Sequence, residues 1–197
     1  MDALEAILTR RSTRSFRPDP VEPEKLSLLL DAARQAPSGG NNQTNHFFVI
    51  RSKEVLDKLV ELTVAGFCKM EIAEDTYASL KHAITAAKRG GYVFHYNAPV
   101  LIAVANRKPY GTNMADCACA IENMMVAANA LDLGSCWINQ LKWLNEDPDL
   151  LALFRSLGMR EDERIYGAVS LGYAATDSGL PSRRRMPQKG NVVAFVG

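Results

Sequence analysis

Leu4, Ile7 and Leu8 recur at three and four residues, so the pattern predicts a short helix over the first ten residues that ends at a run of arginines. Phe16, Pro18 and Pro20 break it. Pro23 suits a first helical turn and opens a second helix with the stripe Leu26, Leu29, Leu30 and Ala33, which stops at Pro37. Phe47-Phe48-Val49-Ile50 reads as a strand, and Ser52 can cap a helix carrying Leu56, Leu59 and Val60. From Ala65 to Tyr96 the pattern weakens. Tyr77, Leu80 and Ile84 keep helical spacing, Gly90-Gly91 interrupts, and Tyr92, Phe94 and Tyr96 alternate with Val93 and His95. Such an aromatic patch packs or lines a pocket, with packing the default.

Pro99 introduces the apolar run Val100 to Ala105, the pattern of a central strand covered on both faces. A helix that is small and apolar almost all round runs from about Asn113 to Leu131, interrupted by Asp116, Glu122 and Asn123; such a helix belongs in the middle of a protein. Gly134 ends it, and Ser135 to Asn139 forms a further strand. Asp147-Pro148 starts a helix that turns Leu150, Leu151, Phe154 and Leu157 to the core and stops at Gly158. Tyr166 to Tyr173 reads as a fourth strand and Val192 to Val196 as a fifth. With no repeat or linker, residues 1–197 read as one domain. The interleaving predicts a three-layer arrangement with helices on both faces of the sheet and, by itself, favours parallel pairing.

Arg10-Arg11-Ser12-Thr13-Arg14 sets three guanidinium forks and two hydroxyls in five residues, and Arg183-Arg184-Arg185, with Lys189 close by, forms a second basic cluster near the other end. Guanidinium donors match phosphate oxygens two at a time, so the two clusters could converge on one anion; the plain alternative is solvated surface. Ala36-Pro37-Ser38-Gly39-Gly40-Asn41-Asn42-Gln43 is a polar, glycine-rich loop leading into a strand. It suits close backbone approach to a planar heterocycle with mixed donor and acceptor edges, or it is simply a turn.

A formal net charge of +1 lacks the basic excess of a nucleic-acid binder. The acidic start Met1 to Glu5 leads into no signal-type apolar segment, and no apolar run approaches the roughly eighteen residues of a membrane span, so a cytoplasmic protein is expected. Cys68, Cys117, Cys119 and Cys136 lack paired C-x-x-C spacing and read as buried thiols rather than metal ligands. No G-x-G-x-x-G follows the first strand and no G-x-x-x-x-G-K is present, which removes Rossmann and P-loop readings.

Taken together, Arg10-Arg11-Ser12-x-Arg14, Ala36-Pro37-Ser38-Gly39-x-Asn41-x-Gln43, Leu133-Gly134-Ser135-x-Trp137-Ile138, Leu171-Gly172-Tyr173 and Arg183-x-Arg185-x-Pro187 resemble, in that order and spacing, the nitroreductase family of FMN-dependent oxidoreductases. The resemblance covers essentially the whole chain. It implies an α+β fold with a five-stranded, mixed but mainly antiparallel sheet between helices. It also implies a homodimer in which the central helix packs across the two-fold axis and the last strand joins the partner's sheet. FMN would lie at the interface, with Arg10, Arg183 and Arg185 on its phosphate, Arg11 beside them, Ser12 on the ribityl and ring end, and Arg14 at the pyrimidine edge. Pro37, Ser38, Gly39, Asn41 and Gln43 would come from the other subunit, and backbone groups of Gly134 and Ser135 would approach the ring edge. Many relatives follow the Gln with Pro-Trp, where this chain has Thr44-Asn45.

The implied activity is ping-pong hydride transfer from NADH or NADPH, through bound FMN, to nitroaromatic, quinone or similar planar acceptors. Neither nucleic acid nor membrane is an implied partner. No catalytic acid-base group and no metal is expected; His46, His82 and His95 have no partner at useful spacing. Alternatives on the same scaffold are flavin fragmentation, dehalogenation, ring dehydrogenation, or a non-catalytic FMN carrier or sensor.

Overall fold

The computed structural model describes residues 1–187 and 189–197. Its elements are α1 (Ala3–Thr9), α2 (Pro23–Arg34), β1 (His46–Ile50), α3 (Lys53–Cys68), α4 (Ala78–Arg89), β2 (Val100–Arg107), α5 (Asn113–Ala130), β3 (Gly134–Ile138), α6 (Gln140–Trp143), α7 (Pro148–Ser156) and β4 (Glu163–Gly172), with a 3-10 turn at Gly39–Asn41. Local chemistry sets several helix starts. Asp2 accepts from the Glu5 amide at 2.9 Å, Ser52 from the Val55 amide at 3.4 Å, and Asp147 from the amides of Asp149 and Leu150; each satisfies a donor that the first turn would leave free.

The sheet order is β1-β2-β4-β3, and every ladder is antiparallel. The parallel pairing that interleaving favours does not form, and the connections explain why. The chain passes from β1 to β2 through two helices, α3 and α4, and from β3 to β4 through α6 and α7. An out-and-back helix pair returns the chain to the end it left, so the next strand runs opposite. Only β2 to β3 is bridged by one long helix, α5; those two strands do run the same way, but β4 lies between them. Among the described residues the one parallel contact is an isolated bridge between Ser12 and Ser135.

β2 is buried on both sides, as its apolar run requires. Leu101, Ala103 and Ala105 join a core with α3, α4, α6 and α7, while Val100, Ile102 and Val104 join one with α2 and α5. The period of two thus divides one strand between two helical layers. No helix among the described residues is long and apolar enough to cross a membrane.

Several expectations need correction. Among the described residues the single chain supplies four strands; residues 192–196, expected as a fifth strand on a partner's sheet, pair with nothing within the one chain, and Val192, Phe195 and Val196 are almost fully exposed. A strand needs an open edge, and beside the point where the tail leaves the body the β3 edge already meets Ser12. Helix α1 buries Ala6 and Thr9 and turns Leu4, Ile7 and Leu8 outward, the reverse of the predicted stripe. Helix α5 is buried along one side but exposes Met114, Ala115 and Cys119. Leu157 is partly exposed, and Cys68 and Cys119 lie at the surface, whereas Cys117 and Cys136 are buried. Residues 94–97 form a turn, in which Phe94 packs in the core.

His95, in that turn, is buried, and its burial lowers its pKa below the usual value of 6.5. The folded state therefore takes up this proton less readily than the unfolded state, so stability falls as pH drops below about 6.5, by at most about 1.4 kcal/mol per pH unit. Urea unfolding of wild type and His95→Gln at pH 5.5 and 7.5 should show a smaller acid loss in the variant; equal losses would remove His95 as its source.

Candidate functional site

The two basic clusters meet at the C-terminal end of α5. Arg11 donates from Nε to the Arg184 carbonyl across 173 positions of chain. Arg183 donates to the Asn129 carbonyl at 3.0 Å and pairs with Asp132. Arg10, the C-cap of α1, lies 3.6 Å from Glu122 on α5. Asn129, buried in α5, donates to the Ala6 carbonyl at 2.9 Å and to the Thr9 hydroxyl at 3.0 Å, which ties the end of α1 to this corner.

Segment 12–14 lies along β3. The Thr13 amide donates to the Ser135 carbonyl at 2.8 Å. A Cβ at Gly134 would stand 2.7 Å from the Thr13 hydroxyl, so only glycine admits this approach. Beyond the bridge, Arg14 is exposed and reaches to 6.0 Å from the Tyr96 ring. Arg185 is also exposed. Burial raises the Cys136 thiol pKa, and Arg14 and Arg10 pull against that rise, which marks this end of β3 as positive.

Two buried guanidinium nitrogens here, Arg10 Nη1 and Arg183 Nε, have no hydrogen-bond partner among the described residues. A buried charged donor without an acceptor is costly, and an anion supplies the missing oxygens.

The loop at 37–43 sits elsewhere. The Gly39 amide donates to both carboxylate oxygens of Asp116 at 3.2 Å, and its carbonyl accepts from the Tyr110 hydroxyl at 2.7 Å. The Ser38 hydroxyl accepts from the Gln43 amide at 3.0 Å, and Gln43 donates to the Asn41 side chain at 3.0 Å. Gly40, Asn41 and Gln43 all hold positive φ, a compact coil that exposes their polar groups. Pro37 is exposed as well. Asp116 lies thirteen residues before Asn129 on α5, so at about 1.5 Å per residue the loop's anchor and the Asn129 carbonyl that holds Arg183 stand about 20 Å apart along the helix, with Glu122, beside Arg10, between them.

In the sequence Asp116 interrupts an apolar helix, and a carboxylate in the first turn of such a helix is the signal it carries. Tyr110 and Asn129 carried none. In place of Pro-Trp, Asn45 builds a polar network: it donates to the Asp116 carbonyl at 3.1 Å and accepts from Asn106 at 2.8 Å. His46 does have a partner, the buried Glu163 at 2.9 Å, reached across the sheet rather than along the chain. Burial, with the Asp116 charge beside it, pushes the Cys117 thiol up to about 12, so it stays protonated in this network.

Gly39→Ala would set a Cβ 2.5 Å from the Thr112 hydroxyl and 2.7 Å from that of Tyr110. Overpacking of this kind costs about 1–3 kcal/mol. A lower midpoint in urea, with loop amides exchanging faster, is the expected result; unchanged exchange would show that the clamp does not hold the loop.

The sequence profile of the nitroreductase family matches residues 7–173. A nitroreductase of Bacteroides fragilis NCTC 9343, solved with bound FMN, is 34% identical, superposes with a TM-score of 0.84 and covers 99% of each chain. A protein of Archaeoglobus fulgidus named "Putative NADH dehydrogenase/NAD(P)H nitroreductase" is 31% identical over 87% of this chain and 85% of its own length. The 5,6-dimethylbenzimidazole synthase of Rhodospirillum rubrum is 29% identical over 94% of this chain and 88% of its own. The chain belongs to the nitroreductase family.

Proposed function

We propose that the chain is an FMN-dependent oxidoreductase of nitroreductase type, one FMN-binding domain over its whole length, working as a homodimer with NADH or NADPH as donor. The observation that carries this reading is the pair of orphaned buried nitrogens, Arg10 Nη1 and Arg183 Nε, where the two basic clusters converge. The donor set fits a phosphate carrying roughly −1.5 to −2 charges. Arg10 and Arg183 would hold it with Arg11 and Arg185 beside them, while Ser12, the backbone at Gly134 and Ser135, and Arg14 would follow the ribityl chain and ring along β3.

The placement of the Pro37–Gln43 loop at the start of α5 and of Arg183 at its end supports a dimer. A second chain can supply Pro37, Ser38, Gly39, Asn41 and Gln43 from its own α5 end. The outward Leu4, Ile7 and Leu8 and the exposed apolar tail give such a partner something to cover.

Bound FMN supplies the hydride chemistry. The chain's own contribution is to anchor the phosphate, to fix the ring against β3 and to set the Arg14 charge where negative charge develops at the pyrimidine edge. NAD(P)H and a planar acceptor would use the same exposed ring face in turn.

The test is the visible spectrum of the purified, FMN-loaded protein under anaerobic conditions. Bleaching by NADH or NADPH and recovery with a quinone or nitroaromatic is the expected result; a flavin that binds but does not bleach would point to a carrier. The relationship to the R. rubrum synthase favours one second reading, flavin fragmentation. A benzimidazole product released from reduced FMN in the presence of oxygen would establish it.

A further inference from the structure

Beyond Ser135, β3 continues to Trp137 and Ile138, and its far end opens into a cleft of about 510 Å³. Tyr77, Trp137, Trp143 and Tyr166 line it, together with Asn139 and Lys142. The Trp137 indole N–H donates to Asn139 at 2.7 Å, and the Tyr166 hydroxyl accepts from Asn113 at 2.8 Å. The ring faces, with the Tyr166 O–H, are what remains to offer. Tyr77 and Trp143 stand edge to face with centroids 6.4 Å apart, an aromatic corner that takes a flat ring. Among the described residues no carboxylate lines the cleft, and Lys142 is its one charged lining residue.

We propose that this cleft takes the electron acceptor and selects planar aromatic acids, with Lys142 holding the carboxylate or sulfonate substituent and the Tyr77–Trp143 corner holding the ring. The inference rests on the reading above that the flavin ring lies along β3, because that places the cleft at the ring's open side. It goes further in assigning a substrate class and a specificity-determining side chain. Two helices meet there: Tyr77 caps α4 and Lys142 belongs to the single turn of α6, so the walls come from parts of the chain far apart in sequence.

A pair of acceptors, 4-nitrobenzoate and its neutral methyl ester, is followed by NAD(P)H oxidation in FMN-loaded wild type, Lys142→Met and Lys142→Arg, and the change in the acid-to-ester ratio between proteins cancels the ester's own higher reactivity and reads the charge. Wild type should favour the acid in kcat/KM. Loss of one charge-assisted contact should cut that preference about tenfold in Lys142→Met, through KM rather than kcat, while Lys142→Arg retains most of it. Trp143→Ala should raise KM for both acceptors.

A wild type without preference for the acid, or a Lys142→Met variant with flavin bound and reducible but the preference unchanged, would overturn the assignment and leave the reductase reading standing. A wild type that binds no FMN, or whose FMN is not bleached by either nucleotide, would overturn both.

Discussion

Arg10→Ala and Arg183→Ala should each release FMN. A charge-assisted hydrogen bond contributes about 1.5–3 kcal/mol, so each variant is expected to bind roughly 10- to 150-fold more weakly. The two nitrogens without partners are the reason these positions rank above the other arginines. Arg11 already spends its Nε on the Arg184 carbonyl, and Arg14 stands apart beside Tyr96. Arg183 also anchors the tail through Asn129 and Asp132, so its loss should weaken the flavin site and loosen the chain after it. Arg185→Ala should follow in the same direction with a smaller effect, since that side chain is exposed. Titration of the apo-proteins with FMN, followed by flavin fluorescence, measures all three. Unchanged affinity in both Arg10→Ala and Arg183→Ala would remove the phosphate from this corner.

The second large effect is expected from deleting residues 191–197. Val192, Val193, Phe195 and Val196 are apolar and exposed in the single chain, Val192 at 98% and Phe195 at 97%. Full burial of such side chains is worth about 1.5–3 kcal/mol each, and both chains of a dimer would contribute a tail. Much of that gain offsets the ordering of the tail, so the net effect on association is smaller than the sum. An increase of at least about 100-fold in the dimer dissociation constant is expected, with a parallel loss of FMN, because the Pro37–Gln43 half of the site would leave with the partner. Sedimentation velocity over a concentration series reads the first and flavin content the second. A truncated protein that stays dimeric and yellow would show that the tail is not the clasp between subunits.

How much of this was legible before the structure depends on the range over which each feature is determined. Helices α2, α3, α5 and α7 and strands β1, β2 and β3 lie where periodicity and punctuation put them. Helix starts at Ser52 and Asp147 follow from side chains reaching two or three residues along the chain. The basic clusters and the glycine-rich loop were visible as chemistry, and the five separated motifs carried the family. Other features were not visible because their causes are distant. Nothing local says that the carboxylate of Asp116 will meet the Gly39 amide 77 positions away, or that Glu163 will meet His46 across the intervening β2. Tyr77, Lys142 and Trp143 form one cleft only because α4 and α6 pack side by side; Tyr77 falls in the stretch whose pattern was weakest.

By itself the sequence determined most of the helices and strands, where the donors for an anion stand, and to which family the chain belongs, because these depend on residue type and short spacing. The tertiary structure decided strand direction, through the number of helices between strands, and it decided which way α1 and α5 face. It also brought Arg10 and Arg183 together at one end of α5 while placing the loop at 37–43 at the other. Each of those outcomes depends on contacts between residues tens to hundreds of positions apart, formed only when the layers pack, and periodicity within a segment carries no record of them.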